Sequence, residues 1–253
     1  LIIDGIDMTG LGTAATLFDI DQVEVLRGPQ GTRFGANALA GMINIRSKEA
    51  DKNAGGYVRG KVGNYASAGI GGAVTGSLSD HVQGRLALHH FQSNGYTKNE
   101  YLNRDDTQDQ NETILRSKLA WQLSADSELK LTYLYANMDN GYDAFTLDNS
   151  RHSLADEPGK DQQETHAFSL QFQQPINSAV NLESTLTGSY SDAVYSFDED
   201  WVYPALHPDT YSYFDQYART FKRGSFDLRL LSGVDGRIFG DSTDWVIGAY
   251  AMN

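Results

Sequence analysis

From Gly56 onward, apolar and polar residues alternate with a period of two, the spacing that sends successive side chains to opposite faces of a strand. Val82, Gly84, Leu86 and Leu88 share one face, with Gln83, Arg85 and His89 between them. The rhythm returns in Leu115, Leu119, Trp121 and Leu123 against Arg116, Lys118 and Gln122, and in Leu129, Leu131, Tyr133 and Tyr135 against Lys130 and Thr132. It returns again in Phe168, Leu170 and Phe172, in Leu182, Leu186 and Tyr190, and in Phe226, Leu228 and Leu230. This repetition predicts about nine strands after Gly56. Residues 1–50 read as mixed structure instead. Leu1 to Ile3, Val23 to Leu26 and Met42 to Ile45 are short strand candidates, and Asn37 to Ala40, between Gly35 and Gly41, reads as a helical turn. A polar linker, Ser47 to Gly55, separates the two patterns.

The predicted connections alternate in length. Ser79-Asp80, Ala125 to Ser127 and Ile176 to Ala179 are tight, whereas Ser93 to Glu112, Asp139 to Glu164 and Asp198 to Gln216 are long. Short turns at one end and long loops at the other are expected of an outer-membrane barrel, with the long loops outside the cell. No stretch approaches the roughly 18 consecutive apolar residues of a membrane helix, so any spanning structure must be built from strands. Negative mean hydropathy does not oppose this, because a barrel strand shows lipid only every second residue.

Composition removes other classes. A net charge of −13 over 253 residues argues against a nucleic-acid partner. Cysteine is absent, so neither disulfides nor thiolate metal sites are available. The glycines at 28, 31, 35 and 41 form no G-x-G-x-x-G, and no Gly-Lys-Ser/Thr follows them, so no dinucleotide or P-loop site is expected. His89 and His90 point to opposite faces of a strand, the other histidines are scattered, and the acidic stretch Asp139 to Glu164 lacks EF-hand spacing. Neither a metal nor a cofactor is expected. Without a G-x-S-x-G elbow or another catalytic set, the chain is not read as an enzyme.

Arg27-Gly28-Pro29 with Gly31 is a turn by its chemistry, since glycine permits positive φ and proline restricts its neighbour. Taken alone, Glu24 and Arg27 read as a surface ion pair beside it. The longer run from Val23 to Lys48, beginning Val-Glu-Val-Leu-Arg-Gly-Pro-Gln-Gly, resembles the end of the plug domain in TonB-dependent outer-membrane receptors. Leu1-Ile-Ile-Asp-Gly-Ile is similar to that family's "Ile-Asp-Gly-Val" plug strand, and the later strand rhythm resembles its barrel.

The resemblance implies a mainly β fold: the C-terminal part of an α/β plug over residues 1–50 and the N-terminal strands of a transmembrane antiparallel β-barrel over 51–253. A barrel of about 22 strands cannot be closed by these strands, so the chain is expected to be a fragment lacking its signal peptide and TonB box. Glu24 and Arg27, with Gly28, Pro29 and Gly31, are then expected to lock plug to barrel, with barrel partners beyond Asn253. The implied function is TonB-dependent uptake of a scarce nutrient across the Gram-negative outer membrane. A ferric siderophore is the first expectation, and cobalamin, haem or an oligosaccharide the alternatives. A passive porin is the competing class, which the plug motif opposes.

The aromatic segment from Tyr195 to Phe214 is the candidate ligand surface, through Tyr195, Phe197, Trp201, Tyr203, Tyr211 and Tyr213. An aromatic girdle with a self-packed loop accounts for it equally well. Acids in the outer loops would repel an anionic iron chelate unless lumen cations such as Arg59, Lys61, Arg85, Arg116 and Lys118 offset them.

Overall fold

The computed structural model describes residues 1–12, 16–29, 40–206 and 209–253. The small first sheet contains β1 (Ile2–Ile3), β2 (Ile6–Asp7), β3 (Ile20–Arg27) and β4 (Gly41–Ser47) in the order β2-β1-β4-β3. Asp4 and Gly5 join β1 to β2 with positive φ of 50° and 86°. That is the Asp-Gly chemistry of a two-residue hairpin whose twist matches its strands. Gly28 also has positive φ, 81°, a conformation that glycine adopts readily. Gly31, Gly35 and most of the expected helical turn at Asn37 to Ala40 lie outside the described residues.

The second sheet is antiparallel and has nine long strands. They are β5 (Gly55–Val62), β6 (Ala68–Ser79), β7 (Val82–Ser93), β9 (Gln110–Gln122), β10 (Glu128–Tyr142), β12 (Gly159–Asn177), β13 (Val180–Asp198), β14 (Phe214–Ser232) and β15 (Val246–Met252). Their order in the sheet follows the chain from β5 to β15, and the sheet is not closed among the described residues. Two short strands, β8 (Lys98–Asn99) and β11 (His152–Ser153), pair outside it and clasp two outer loops together. Strands of 19 residues, such as β12 and β13, exceed the 9–11 a bilayer needs. Part of each long loop expected from the sequence is therefore strand: β10 runs on to Tyr142 and β12 starts at Gly159.

The predicted strand faces are correct. Leu86, Leu88, Leu119, Trp121, Leu131, Phe168, Leu186 and Phe226 are all exposed on one side, where a barrel meets lipid. The opposite side is not uniformly polar. Ile114, Leu134, Ala136, Met138 and Ala167 on the inner face pack with Ile3, Ile6, Met8, Leu11 and Ile45 of the small sheet into one buried cluster. The main hydrophobic core thus lies between the two sheets, where burial of apolar surface seats the first sheet on the wall.

Candidate functional site: the plug–wall interface and the outer aromatic cluster

Two aspartates of the small sheet carry the polar half of that seat. The hairpin turn presents Asp4 toward the wall. Its Oδ1 accepts the Ser47 backbone N–H at 2.9 Å and its Oδ2 the Ser47 hydroxyl at 2.7 Å. Lys118 Nζ donates to the same carboxylate at 3.2 Å and to Glu49 at 2.8 Å, and Arg116 Nε lies 3.7 Å from it. All three side chains of the Asp4, Arg116 and Lys118 triad are about 95% shielded from solvent. Asp19, also in a positive-φ turn, takes both arms of Arg85 and the Tyr57 hydroxyl, which donates at 3.0 Å. Arg116 adds a bond to the Phe18 carbonyl at 3.0 Å, and Arg223 donates to the carbonyls of Asp7 and Thr9. Charges this deeply buried persist only when paired and hydrogen-bonded.

Beside Asp19, the Phe18 ring stacks on His89 with centroids 4.8 Å apart. Gly71 makes room for it: a Cβ there would fall 2.7 Å from the Phe18 ring and 2.9 Å from His89. Gly71→Val is expected to cost about 1–3 kcal/mol through overpacking. Most of that cost should vanish in a Phe18→Ala background, a non-additivity that unfolding of the two singles and the double in detergent would read.

The locking residues inferred from the Arg-Gly-Pro motif sit elsewhere. Glu24, on the edge strand β3, accepts from Gln22 at 2.9 Å and from Asn44 at 2.8 Å within its own sheet, and Arg27 ends that strand. Asp4, Asp19 and Glu49, which pair with cations of the wall, were not singled out from sequence. Asp4 had a legible signal, an Asp-Gly pair between apolar dipeptides, whereas Asp19 and Glu49 carried none. Of the five cations expected to line the lumen, Arg85, Arg116 and Lys118 are neutralised by these carboxylates. They cannot offset the acidic outer loops while the small sheet is seated. Arg59 and Lys61 instead lie over the rings of Tyr57 and Phe91.

At the outer end, the aromatic candidates divide. Tyr195 and Phe197 join Tyr142, Phe145 and Trp201 in one cluster, in which Phe145 stacks on Trp201 at 5.2 Å and Tyr142 meets Tyr195 edge-on at 4.9 Å. Tyr203 stacks on Tyr101 at 4.4 Å, and Tyr211 stacks on Tyr213. A cavity of about 390 Å³ opens beside the first cluster, lined by Tyr195, Tyr217, Arg219 and Phe221 of the wall and by Gly10 and Gly12 of the small-sheet segment. The three outer loops are tied together. Buried Asp143 accepts from Asn99, Thr107 and Ser153, and Leu154 bridges to Val202.

No protein-family model matches the chain. The pesticin receptor of Yersinia pestis is 42% identical over 62 residues, 24% of this chain and 9% of that protein. The vitamin B12 transporter BtuB of Vibrio vulnificus is 30% identical over 137 residues, 49% of this chain and 21% of that protein. The chain therefore spans only a small part of the curated relatives it matches. Among solved structures, the ferric yersiniabactin uptake receptor FyuA from Yersinia pestis superposes with a TM-score of 0.81 at 20% identity, over 99% of this chain and 39% of that one. The ferripyoverdine receptor of the Pseudomonas aeruginosa outer membrane gives 0.72 at 19% identity, over 99% and 35%. These relatives and neighbours are named as transporters and receptors, and none as an enzyme. A small sheet seated by buried ion pairs against a wall of long antiparallel strands, with the fold of these solved receptors over nearly the whole chain and sequence identity to a receptor and a transporter over part of it, supports a stretch of plug and barrel of a TonB-dependent outer-membrane receptor.

Proposed function

We infer that the protein is an active importer of a ferric siderophore, with residues 1–50 acting as plug and 51–253 as barrel wall. The observation that carries this reading is the match to FyuA over nearly the whole chain, joined by sequence identity to the pesticin receptor. The buried Asp4 and Asp19 pairs support gating rather than passive flow, because a plug held this way needs work to move, which is the task TonB performs in this family. A porin has no use for such a lock. Glu24, Arg27, Gly28, Pro29 and Gly31 would extend the lock. Cobalamin is the second reading, favoured by the likeness to BtuB over half of the chain. No enzymatic step is part of the proposal.

The test is uptake of iron-loaded siderophore by cells whose only such receptor is the intact protein. Uptake is expected with TonB and should fall to background without it; undiminished uptake in the TonB-deficient strain would sink the proposal. Competition by cobalamin, with no iron uptake, would favour the second reading.

Within this reading the cluster of Tyr195, Phe197 and Trp201, with Tyr142 and Phe145, is the ligand platform, and Tyr203, Tyr211 and Tyr213 are its outer contributors. Rigid aromatics offer broad contact at low entropic cost. Trp201→Ala is expected to weaken ligand binding by about tenfold or more, the loss typical of an aromatic anchor that a ligand covers on binding. Equilibrium binding to the purified receptor measures it.

A further inference from the structure

We propose that Asp156, Asp198 and Asp200 form a binding site for a calcium-class divalent cation, which staples the loop before β12 to the loop after β13. One carboxylate oxygen from each lies within 4.8 Å of the other two. Proximity of acids alone would signify little, but Asp198 is only 6% exposed and one of its oxygens, Oδ2, is buried with no hydrogen-bond partner. Its other oxygen is held by the backbone N–H groups of Asp200 and Trp201, both at 3.2 Å. Asp200 is oriented the same way, accepting from the Val202 and Tyr213 N–H groups at 3.3 and 3.1 Å. The backbone therefore aims acceptor-only groups at one another, leaving lone pairs that another carboxylate cannot satisfy.

A buried acceptor without a donor costs about 1–3 kcal/mol, and converging like charges add to that. A cation at the centre relieves both. The donor set is all oxygen, with neither imidazole nor thiolate, which suits a hard cation rather than zinc or copper. Two loop carboxylates and one at the end of β13, with water completing the shell, suit calcium's variable coordination better than the strict octahedron of magnesium. The staple joins segments that already meet at the Leu154–Val202 bridge. It would fix Trp201 in its stack on Phe145.

The alternative use of these groups is a proton shared between Asp198 and Asp200, and substitution by asparagine separates the two. The intact receptor, chelator-treated in detergent, is titrated with calcium chloride by calorimetry and then digested briefly with protease. One calcium should bind and saturate by about ten millimolar, given the 10⁻⁴–10⁻³ M range of extracellular sites, and should slow cleavage within residues 199–213. Asp198→Asn and Asp156→Asn should each weaken binding at least tenfold and abolish the protection. Asp156, less buried than Asp198, supplies the readout if the Asp198 variant fails to fold. Absence of calcium binding by the wild type, variants that bind as tightly as it does, or an Asp198→Asn loop that resists protease without calcium would each overturn the site.

Discussion

Asp4→Ala is expected to destabilise the seated plug by about 3–5 kcal/mol, the cost of stripping one partner from a buried charge cluster. The reason lies in what remains. Arg116 and Lys118 are both almost wholly buried, and Asp4 is the carboxylate they share. Lys118 keeps Glu49, whose own side chain is 57% exposed and so is a solvent-screened partner. Arg116 keeps the Phe18 carbonyl, a dipole in place of a charge. The Ser47 N–H and hydroxyl lose their acceptor in the same stroke. Denaturant unfolding in detergent should show the loss, and cells carrying the variant should admit antibiotics normally excluded by the outer membrane. A shift under about 1 kcal/mol would mean that solvent reaches the cluster and that the lock does not depend on it.

Arg85→Met should produce a loss of similar size, because the Asp19 carboxylate loses its cation in a site where its side chain is 1% exposed, and the Tyr57 hydroxyl is the side-chain donor it keeps among the described residues. Much of that loss is the penalty of the stranded carboxylate rather than the net worth of the pair. Adding Asp19→Asn to Arg85→Met should therefore recover most of it, and the double-mutant cycle should give a coupling above about 1 kcal/mol. Arg104 and Asp106 supply the control. They are 2.7 Å apart but about half exposed, so Arg104→Ala is expected to change stability by less than about 1 kcal/mol. Equal losses from Arg85→Met and Arg104→Ala would refute burial as the source of the effect.

Alternation of side chains along each strand is a local property, and the wall was legible for that reason. Leu119 and Trp121 are exposed and Arg116 and Lys118 are buried, as the period-two pattern requires. The strand ends were less legible. Asn140 to Tyr142 and Gly159 to Asp161 look like polar loop in one dimension, yet they pair in register across β10 and β12, and ladder hydrogen bonds outside the bilayer do not demand apolar side chains. The aromatic segment was visible as composition, but its division into one cluster and two separate stacks was not.

The sequence by itself determined the class of architecture, because strand periodicity, turn chemistry at Asp4-Gly5 and Arg27-Gly28-Pro29, and the plug-like run beginning at Val23 all act over a few residues. Only the tertiary structure decided which charges hold the plug. Asp4 lies 114 residues from Lys118, and Asp19 lies 66 from Arg85. Pairing over such distances depends on how the small sheet is seated against the wall, and on a low-dielectric contact that forms only once Ile3, Ile6 and Met8 are buried against Ile114, Leu134 and Met138.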